Sequence, residues 1–121
     1  MNDKKTLVVG ASTNPSRYSN KAIQMLRKYG HTVEALGLRN GRVGDIDISV
    51  EKIKYDDIHT VTLYVGPKNQ QVYYEYIESI NPDRVIFNPG TENPVFEERL
   101  KSMGIKTEIA CTLVLLSTNQ Y

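Results

Sequence analysis

The segment Thr6–Pro15, which reads TLVVGASTNP, constrains the fold of this chain more than any other part of its sequence. Its apolar run stops at Gly10 and passes through two hydroxyl side chains into a proline turn, and a helical pattern follows from Ser19. This succession predicts a strand, a tight loop and a helix N-terminus. Backbone N–H groups at such a junction point toward a phosphate, so the segment predicts a phosphate site.

The remaining sequence alternates between short apolar runs and helical patterns. The predicted strands, numbered one to five along the chain, are Lys5–Gly10, Thr32–Leu38, Thr60–Val65, Arg84–Phe87 and Ile105–Ile109. This alternation predicts an α/β fold with a Rossmann-like, doubly wound, five-stranded parallel sheet in the order 3-2-1-4-5 and helices on both faces. We therefore expect ligands at the carboxyl ends of the strands, at a switch point between strands one and four.

Local signals define the helix ends and turns near the predicted phosphate site. Ser19 or Asn20 is the expected N-cap of the first helix, because both residue types cap helices well. Asn40-Gly41 is a hairpin turn signal within residues 39–57, a segment that we expect to form a small excursion from the sheet.

The segment after Pro67 carries a helical stripe that ends before Pro82. The stripe consists of Val72, Tyr73, Tyr76, Ile77 and Ile80. Helical spacing places these side chains in the core and leaves Tyr74 facing outward.

Length and charge bound the classes of function. The 121 residues suit one domain, residues 1–121. Lys and Arg number 15 against 14 Asp and Glu, a net charge of +1, so no global field attracts nucleic acid or a membrane surface. The chain has no apolar stretch near the roughly 20 residues that a membrane span needs, and the run after Lys4 and Lys5 is too short for a signal peptide. We expect a cytoplasmic protein without a nucleic-acid or membrane partner.

Metal and histidine chemistry have little material in this sequence. The single cysteine, Cys111, excludes an internal disulfide and a multi-cysteine metal site, so we expect no metal. His31 and His59 precede predicted strands, which places them at the amino edge of the sheet, away from the expected ligand. A histidine base is therefore not expected.

The first loop departs from the loop that binds NAD. An NAD loop has three glycines and is followed by an acidic residue at the end of the second strand, whereas residues 10–15 contain one glycine and strand two ends near Arg39. A guanidinium at this position suits a phosphorylated ribose. The residues thus favour NADP, with its 2′-phosphate, or coenzyme A (CoA), with its 3′-phosphate. Ser12 and Thr13 are candidate donors to the pyrophosphate, and Arg17 adds charge.

The segment Val8–Ala22 resembles the first loop and helix of the small stand-alone CoA-binding domain proteins, which are similar to the nucleotide-binding domain of the succinyl-CoA synthetase alpha chain. Supporting matches are Tyr29-Gly30-His31, Val65–Lys68, Asn88–Asn93 and Gly104-Ile105. The resemblance implies a Rossmann-type fold that binds CoA or an acyl-CoA, and it implies no reaction. The chain departs from the family pattern after strand two, where most relatives have an Asn-Pro step and this chain has the segment Gly37–Gly41.

The expected ligand edge and the resemblance together select a set of candidate binding residues. They are Gly10, Ala11, Ser12, Thr13, Pro15, Arg17, Tyr18, Ser19, Arg39, Gly66, Pro67, Lys68, Asn88, Pro89, Gly90 and Cys111. Within this set, Cys111 is a candidate for contact, or for a mixed disulfide, with a CoA thiol, although a buried free cysteine more often packs as a small hydrophobe. Glu92 is expected to order its loop.

No residue pattern points to a catalytic group, so the leading hypothesis is a CoA-binding carrier, sensor or subunit that is not an enzyme. Two alternatives stay open: an NADP-binding oxidoreductase fragment, and a regulatory module that has lost its ligand. A protein partner or a homodimer is compatible with the sequence.

Overall fold

The computed structural model describes residues 3–121, in which strands and helices alternate. The strands are β1 (Thr6–Ala11), β2 (Val33–Gly37), β3 (Gly41–Val43), β4 (Ile46–Ser49), β5 (Thr60–Leu63), β6 (Arg84–Phe87) and β7 (Lys106–Ile109). The α-helices are α1 (Tyr18–Lys28), α2 (Tyr74–Ile80), α3 (Pro94–Ser102) and α4 (Thr112–Ser117), and two 3₁₀ turns, Pro67–Asn69 and Gln71–Tyr73, precede α2.

The seven strands form one sheet in the order β3-β4-β2-β1-β5-β6-β7. Every neighbouring pair is parallel except β3 with β4. The predicted five-stranded sheet in the order 3-2-1-4-5 is therefore wrong in strand number and in order. Predicted strand three is β5, and it pairs with β1, with Thr60 opposite Thr6. The switch point consequently lies between β1 and β5.

The hairpin of β3 and β4 gives the physical reason for this order. β4 pairs with the outer side of β2, with Ile48 opposite Ala35, and this is the side that the predicted order assigned to the third strand. The small excursion expected in residues 39–57 is thus part of the sheet. Its tight turn lies at Gly44, with φ of +59°, and not at Asn40-Gly41.

Helices cover both faces of the sheet, as predicted. On one face, Ile23 and Leu26 of α1 and Leu116 of α4 pack with Val8 and Ile86 in one buried cluster. On the other face, α2 and α3 bury Ile77, Phe96 and Leu100 against the sheet residues Leu7, Val61, Val85 and Phe87. None of the helices within residues 3–121 combines the length and the apolar character needed to cross a membrane.

The two 3₁₀ turns shift the helical phase of the segment after Pro67. The predicted outward position of Tyr74 is wrong: Tyr74 is buried, and its ring stacks on Phe96 with 4.2 Å between centroids. Val72, expected in the core, is 66% exposed. A 3₁₀ helix has three residues per turn, so two such turns rotate all later side chains relative to a continuous α-helix.

Candidate functional site

A cleft of about 1200 Å³ lies at the carboxyl edge of the sheet, beside the switch point between β1 and β5. Its walls come from the segments that follow β1, β2, β5 and β6. Most of the predicted binding residues line it: Gly10, Ala11, Ser12, Thr13, Arg17, Tyr18, Ser19, Arg39, Gly66, Lys68, Pro89 and Gly90. Loops that are far apart in sequence therefore meet at one site, as expected for the carboxyl ends of parallel strands.

Four predicted residues do not line the cleft. Pro15 is exposed in the first loop, and Pro67 opens the first 3₁₀ turn. Asn88 is buried in the interior, and Cys111 is a half-buried residue at the N-cap position of α4.

Within residues 3–121, nine further residues that line the cleft were not among the predicted binding residues. They are Asn14, Leu38, Tyr64, Val65, Asn69, Gln71, Val72, Tyr73 and Thr91. The second 3₁₀ turn consists of Gln71, Val72 and Tyr73. The helical stripe in the sequence predicted that Val72 and Tyr73 would begin a helix facing the core. Gly66 and Pro67, just before this segment, are the signals that could have indicated an irregular backbone here.

The charged side chains that line the cleft are all positive. Arg17, Arg39 and Lys68 line it, whereas no aspartate or glutamate is among its lining residues. In the described chain, residues 3–121, none of these three side chains takes part in an ion pair. The net charge of the whole chain is only +1, so the cations are locally in excess at the cleft, and this excess favours negative charge there.

The N-terminus of α1 adds uncompensated donors to the same wall. The N-cap residue is Arg17, in an extended conformation and without a side-chain cap, and the first turn holds no acidic residue. The first helical hydrogen bond runs from Lys21 N–H to Arg17 O, at 3.2 Å. The N–H groups of Tyr18, Ser19 and Asn20 thus have no acceptor within residues 3–121, and a helix N-terminus attracts negative charge.

The predicted N-cap role of Ser19 or Asn20 is wrong, because both lie inside the first turn and are buried. Asn20 instead holds the loop: its Nδ2 donates to the carbonyl of Ser12 at 3.0 Å. Ser12 Oγ accepts from the N–H of Asn14 at 3.1 Å. The Ser12 hydroxyl lines the cleft with its own proton still available to donate.

The fold itself requires glycine at residue 10. Its φ is +94°, and a Cβ built on it would lie 2.8 Å from the carbonyl oxygen of Tyr64. The end of β1 therefore passes directly against the end of β5. A side chain at residue 10 would push apart the two strands that flank the switch point.

Buried amide side chains fix the loops on the other side of the cleft. Gln70 Nε2 donates to the carbonyls of Val65 and Thr91, at 2.8 and 2.6 Å, and its Oε1 accepts from Asn93 Nδ2 at 2.9 Å. Gln70 thereby joins the segments that follow β5 and β6. Glu92 orders the same loop, as predicted, because its Oε1 accepts from Gly90 N–H at 2.9 Å.

Asn88 connects three elements below the cleft. Its Nδ2 donates to Thr62 Oγ1 and to the carbonyl of Leu63, at 2.7 and 2.8 Å. Its Oδ1 accepts from the N–H of Thr112, the first residue of α4, at 2.9 Å. These contacts occupy the amide within the protein and explain why it does not face the cleft.

Both histidines lie at the amino edge of the sheet, as predicted. His31 Nδ1 accepts from the N–H of Lys4, and His59 is hydrogen-bonded to Thr60. Burial lowers the pKa of both imidazoles below 6.5. Neither histidine lines the cleft.

The chain matches known proteins over nearly its whole length. The sequence model of a family described as "CoA binding domain" matches residues 4–117. The crystal structure of an uncharacterized protein is 43% identical, with a TM-score of 0.97 and full coverage of both chains. A hypothetical protein from Pyrococcus horikoshii OT3 is 28% identical, with a TM-score of 0.80 over 92% of this chain and 80% of its own.

A protein from Thermus thermophilus shares the fold at 21% identity, with a TM-score of 0.84 over 98% of this chain and 91% of its own. None of the curated proteins compared with the chain is a match.

Proposed function

The chain belongs to the CoA-binding domain family, and on this premise we propose that its carboxyl-edge cleft holds CoA or an acyl-CoA by the phosphates. One observation carries the proposal: three cationic side chains and no carboxylate line a cleft that also receives the uncapped N-terminus of α1. CoA has two groups of phosphates, a pyrophosphate and a 3′-phosphate, and both must be neutralised. A cleft of this charge suits such a ligand.

The pyrophosphate is assigned to the loop 10–19. The N–H groups of Tyr18 and Ser19 donate from the first turn of α1, and the Ser12 and Thr13 hydroxyls donate from the loop. Arg17 adds a full charge at the same wall. This arrangement combines hydrogen-bond donors with a helix N-terminus, which is the usual physical basis of phosphate binding at such loops.

The 3′-phosphate is assigned to Arg39, which follows β2 and lines the cleft. An arginine can bind a phosphate with two parallel hydrogen bonds, whereas a lysine acts as a point charge. The loop after β2 is held against the loop after β1, because a Cβ at Gly41 would collide with the side chain of Thr13. The two phosphate contacts therefore belong to one packed rim.

The pantetheine arm is assigned to the opposite rim. Val65, Val72 and Tyr73 supply apolar surface there, and Lys68 supplies a further cation. A flexible, mostly uncharged arm fits a wall of this composition better than the phosphates do.

We extend the proposal to the absence of a reaction: the protein acts as a carrier, a sensor or a subunit. The support is the composition of the cleft: its lining residues within 3–121 include no histidine, cysteine, aspartate or glutamate, and its titratable side chains are Lys68, two arginines and three tyrosines, which are cationic or neutral near neutral pH. General acid–base catalysis needs a titratable group within hydrogen-bond reach of the reacting atoms.

Substitution of Arg39 tests the phosphate assignment. We expect Arg39→Ala to weaken CoA by about 1.5 kcal/mol or more, the contribution of hydrogen bonds to a charged group, and to leave dephospho-CoA, which lacks the 3′-phosphate, nearly unchanged. Isothermal titration calorimetry with both ligands measures the difference. Arg42→Ala is the matched control, because Arg42 is exposed, pairs with Asp47 at 3.2 Å and does not line the cleft.

An equal loss for the two ligands would remove Arg39 from this role. Arg39 is equally suited to the 2′-phosphate of NADP, so NADPH is titrated in the same series, and tighter binding of NADPH would favour the oxidoreductase alternative. A ligand at about 100 times its dissociation constant adds about 2.7 kcal/mol to the stability of the fold. No rise in melting temperature with either ligand would indicate a module that has lost its ligand.

A further inference from the structure

β7 forms one end of the sheet, and its outer edge pairs with no strand in the part of the chain that the structure describes. Its four residues, Lys106–Ile109, include no proline and no glycine, and its pairing with β6 has no irregularity. The opposite end of the sheet differs: β3 has three residues, begins with Gly41 and belongs to a tight hairpin. Proteins usually blunt exposed edges: the β3 edge is a three-residue strand in a hairpin, whereas the four-residue β7 edge carries the charged residues Lys106 and Glu108.

The backbone groups that β7 presents outward can be assigned from its pairing with β6. The N–H groups of Lys106 and Ala110 donate to the carbonyls of Asp83 and Phe87, both at 3.2 Å. Successive residues of a strand point their N–H groups to opposite sides. The N–H groups of Thr107 and Ile109 therefore face away from β6, together with the carbonyl of Thr107.

The sequence of this edge is self-complementary about Thr107. Read outward from Thr107, Lys106 corresponds to Glu108 and Ile105 corresponds to Ile109. We propose that β7 pairs antiparallel with β7 of a second copy of this chain, with a two-fold axis at Thr107, and so extends the sheet across a homodimer. In this register the two Thr107 residues exchange their backbone hydrogen bonds, and each Ile109 N–H faces the carbonyl of the partner's Ile105.

The side chains favour this register on both faces of the sheet. On the face of α1 and α4, Lys106 lies opposite the partner's Glu108. Glu108 already has Arg84 and Lys106 of its own chain at 3.6 Å, so the pairing joins the charges of both copies with alternating sign. Lysine is a residue type that protects edge strands from pairing. In the two-fold register, however, Lys106 meets a carboxylate of the partner strand.

On the face of α2 and α3, the pairing covers an exposed apolar side chain. Ile109 is 60% exposed, although its neighbour in the sheet, Phe87, is buried. In the two-fold register, Ile109 lies opposite the partner's Ile105.

Proline at the centre of β7 tests the interface without breaking the monomer. The N–H of Thr107 is not used within the sheet, and proline is tolerated on an edge strand where the N–H faces solvent. We expect the wild-type protein to sediment as a dimer in analytical ultracentrifugation and Thr107→Pro to sediment as a folded monomer, with its fold checked by circular dichroism. A monomeric wild type, or a dimeric Thr107→Pro variant, would overturn the proposal.

Charge reversal tests the register itself. Lys106→Glu places two carboxylates opposite two carboxylates, and Glu108→Lys places four ammonium groups together, so each variant alone should dimerise roughly tenfold more weakly or worse. A mixture of the two variants restores opposite charges at every pair and should form a heterodimer. Arg42→Glu makes the same change at the other sheet edge and should leave dimerisation unchanged.

Dimerisation of the Lys106→Glu variant at wild-type strength, or a mixture that stays monomeric, would contradict the register. All of these measurements are made without CoA, so their outcome is independent of the proposed function.

Discussion

At the scale of single residues, two glycines with nearly the same φ have different surroundings. Gly10 and Gly90 have φ of +94° and +91°. A Cβ at Gly10 would meet the backbone of Tyr64, whereas a Cβ at Gly90 would meet no atom within 4 Å. The pair therefore separates the cost of a positive φ from the cost of a steric collision.

We expect Gly10→Ala to lower the free energy of unfolding by more than Gly90→Ala does. The strain of a positive φ costs about 1–3 kcal/mol at either residue, and only residue 10 adds displacement of the β5 backbone. Urea denaturation of the two variants measures the difference. Equal losses would mean that the close approach of β1 to β5 contributes nothing to stability.

At the scale of the elements, the position of α4 depends on one buried amide. Asn88 ties the first residue of α4 to the end of β5, and the hydroxyls of Thr62 and Thr112 form a second link at 2.8 Å. α4 has six residues, too few for a helix to be stable by itself in water. Its orientation must therefore come from these tertiary contacts.

Asn88→Ala is expected to lower the free energy of unfolding by about 2–4 kcal/mol, because it leaves the Thr112 N–H and the Leu63 carbonyl without partners in the interior. Urea denaturation checks the value. Asn40→Ala is the control, since Asn40 is an exposed asparagine on another loop. Similar small losses in both variants would show that the contacts of Asn88 are replaced by water.

The elements also show which parts of the fold could be predicted. The junction of β1 with α1 was readable because an apolar run, a glycine and a helical pattern follow one another without interruption. The strand order was not readable, because it depends on whether residues 41–49 join the edge of β2, which is a tertiary choice. Tyr74 was misplaced because the 3₁₀ turns before it have no distinct hydrophobic period.

In the candidate site too, residues marked by local sequence could be predicted, whereas those placed by tertiary contacts could not. Loop residues such as Ser12 and Arg39 could be placed at the cleft because they follow strands, and the carboxyl ends of parallel strands share one edge. Gln70 was missed because glutamine is usually exposed, and only the folded chain shows that it is fully buried between two loops.

At the scale of the whole molecule, the amino edge of the sheet carries the groups that titrate near neutral pH. Burial is the largest cause that lowers the pKa of His31 and His59. The two imidazoles are therefore protonated at a lower pH in the folded protein than in the unfolded chain, where a histidine has its ordinary pKa of 6.5. Below that pH the unfolded state binds more protons, so stability falls as the pH is lowered from 6.5 toward the folded-state pKa values.

We expect the free energy of unfolding to decrease over this range in urea denaturation at a series of pH values. The double variant with His31→Asn and His59→Asn should show a flatter dependence, since asparagine carries no titrating proton there. An unchanged slope in the double variant would assign the pH dependence to other groups.

The first turn of α1 places two kinds of backbone amide side by side, and hydrogen exchange distinguishes them. The amide hydrogens of Tyr18, Ser19 and Asn20 bond to no acceptor in residues 3–121, while that of Lys21 is bonded. Amides of the first kind exchange with solvent deuterium without any unfolding, and bonded amides exchange only when the helix opens. In the proposed CoA complex, the amides of Tyr18 and Ser19 donate to the pyrophosphate and should exchange more slowly than in the free protein, whereas the rate at Lys21 reports the stability of the helix.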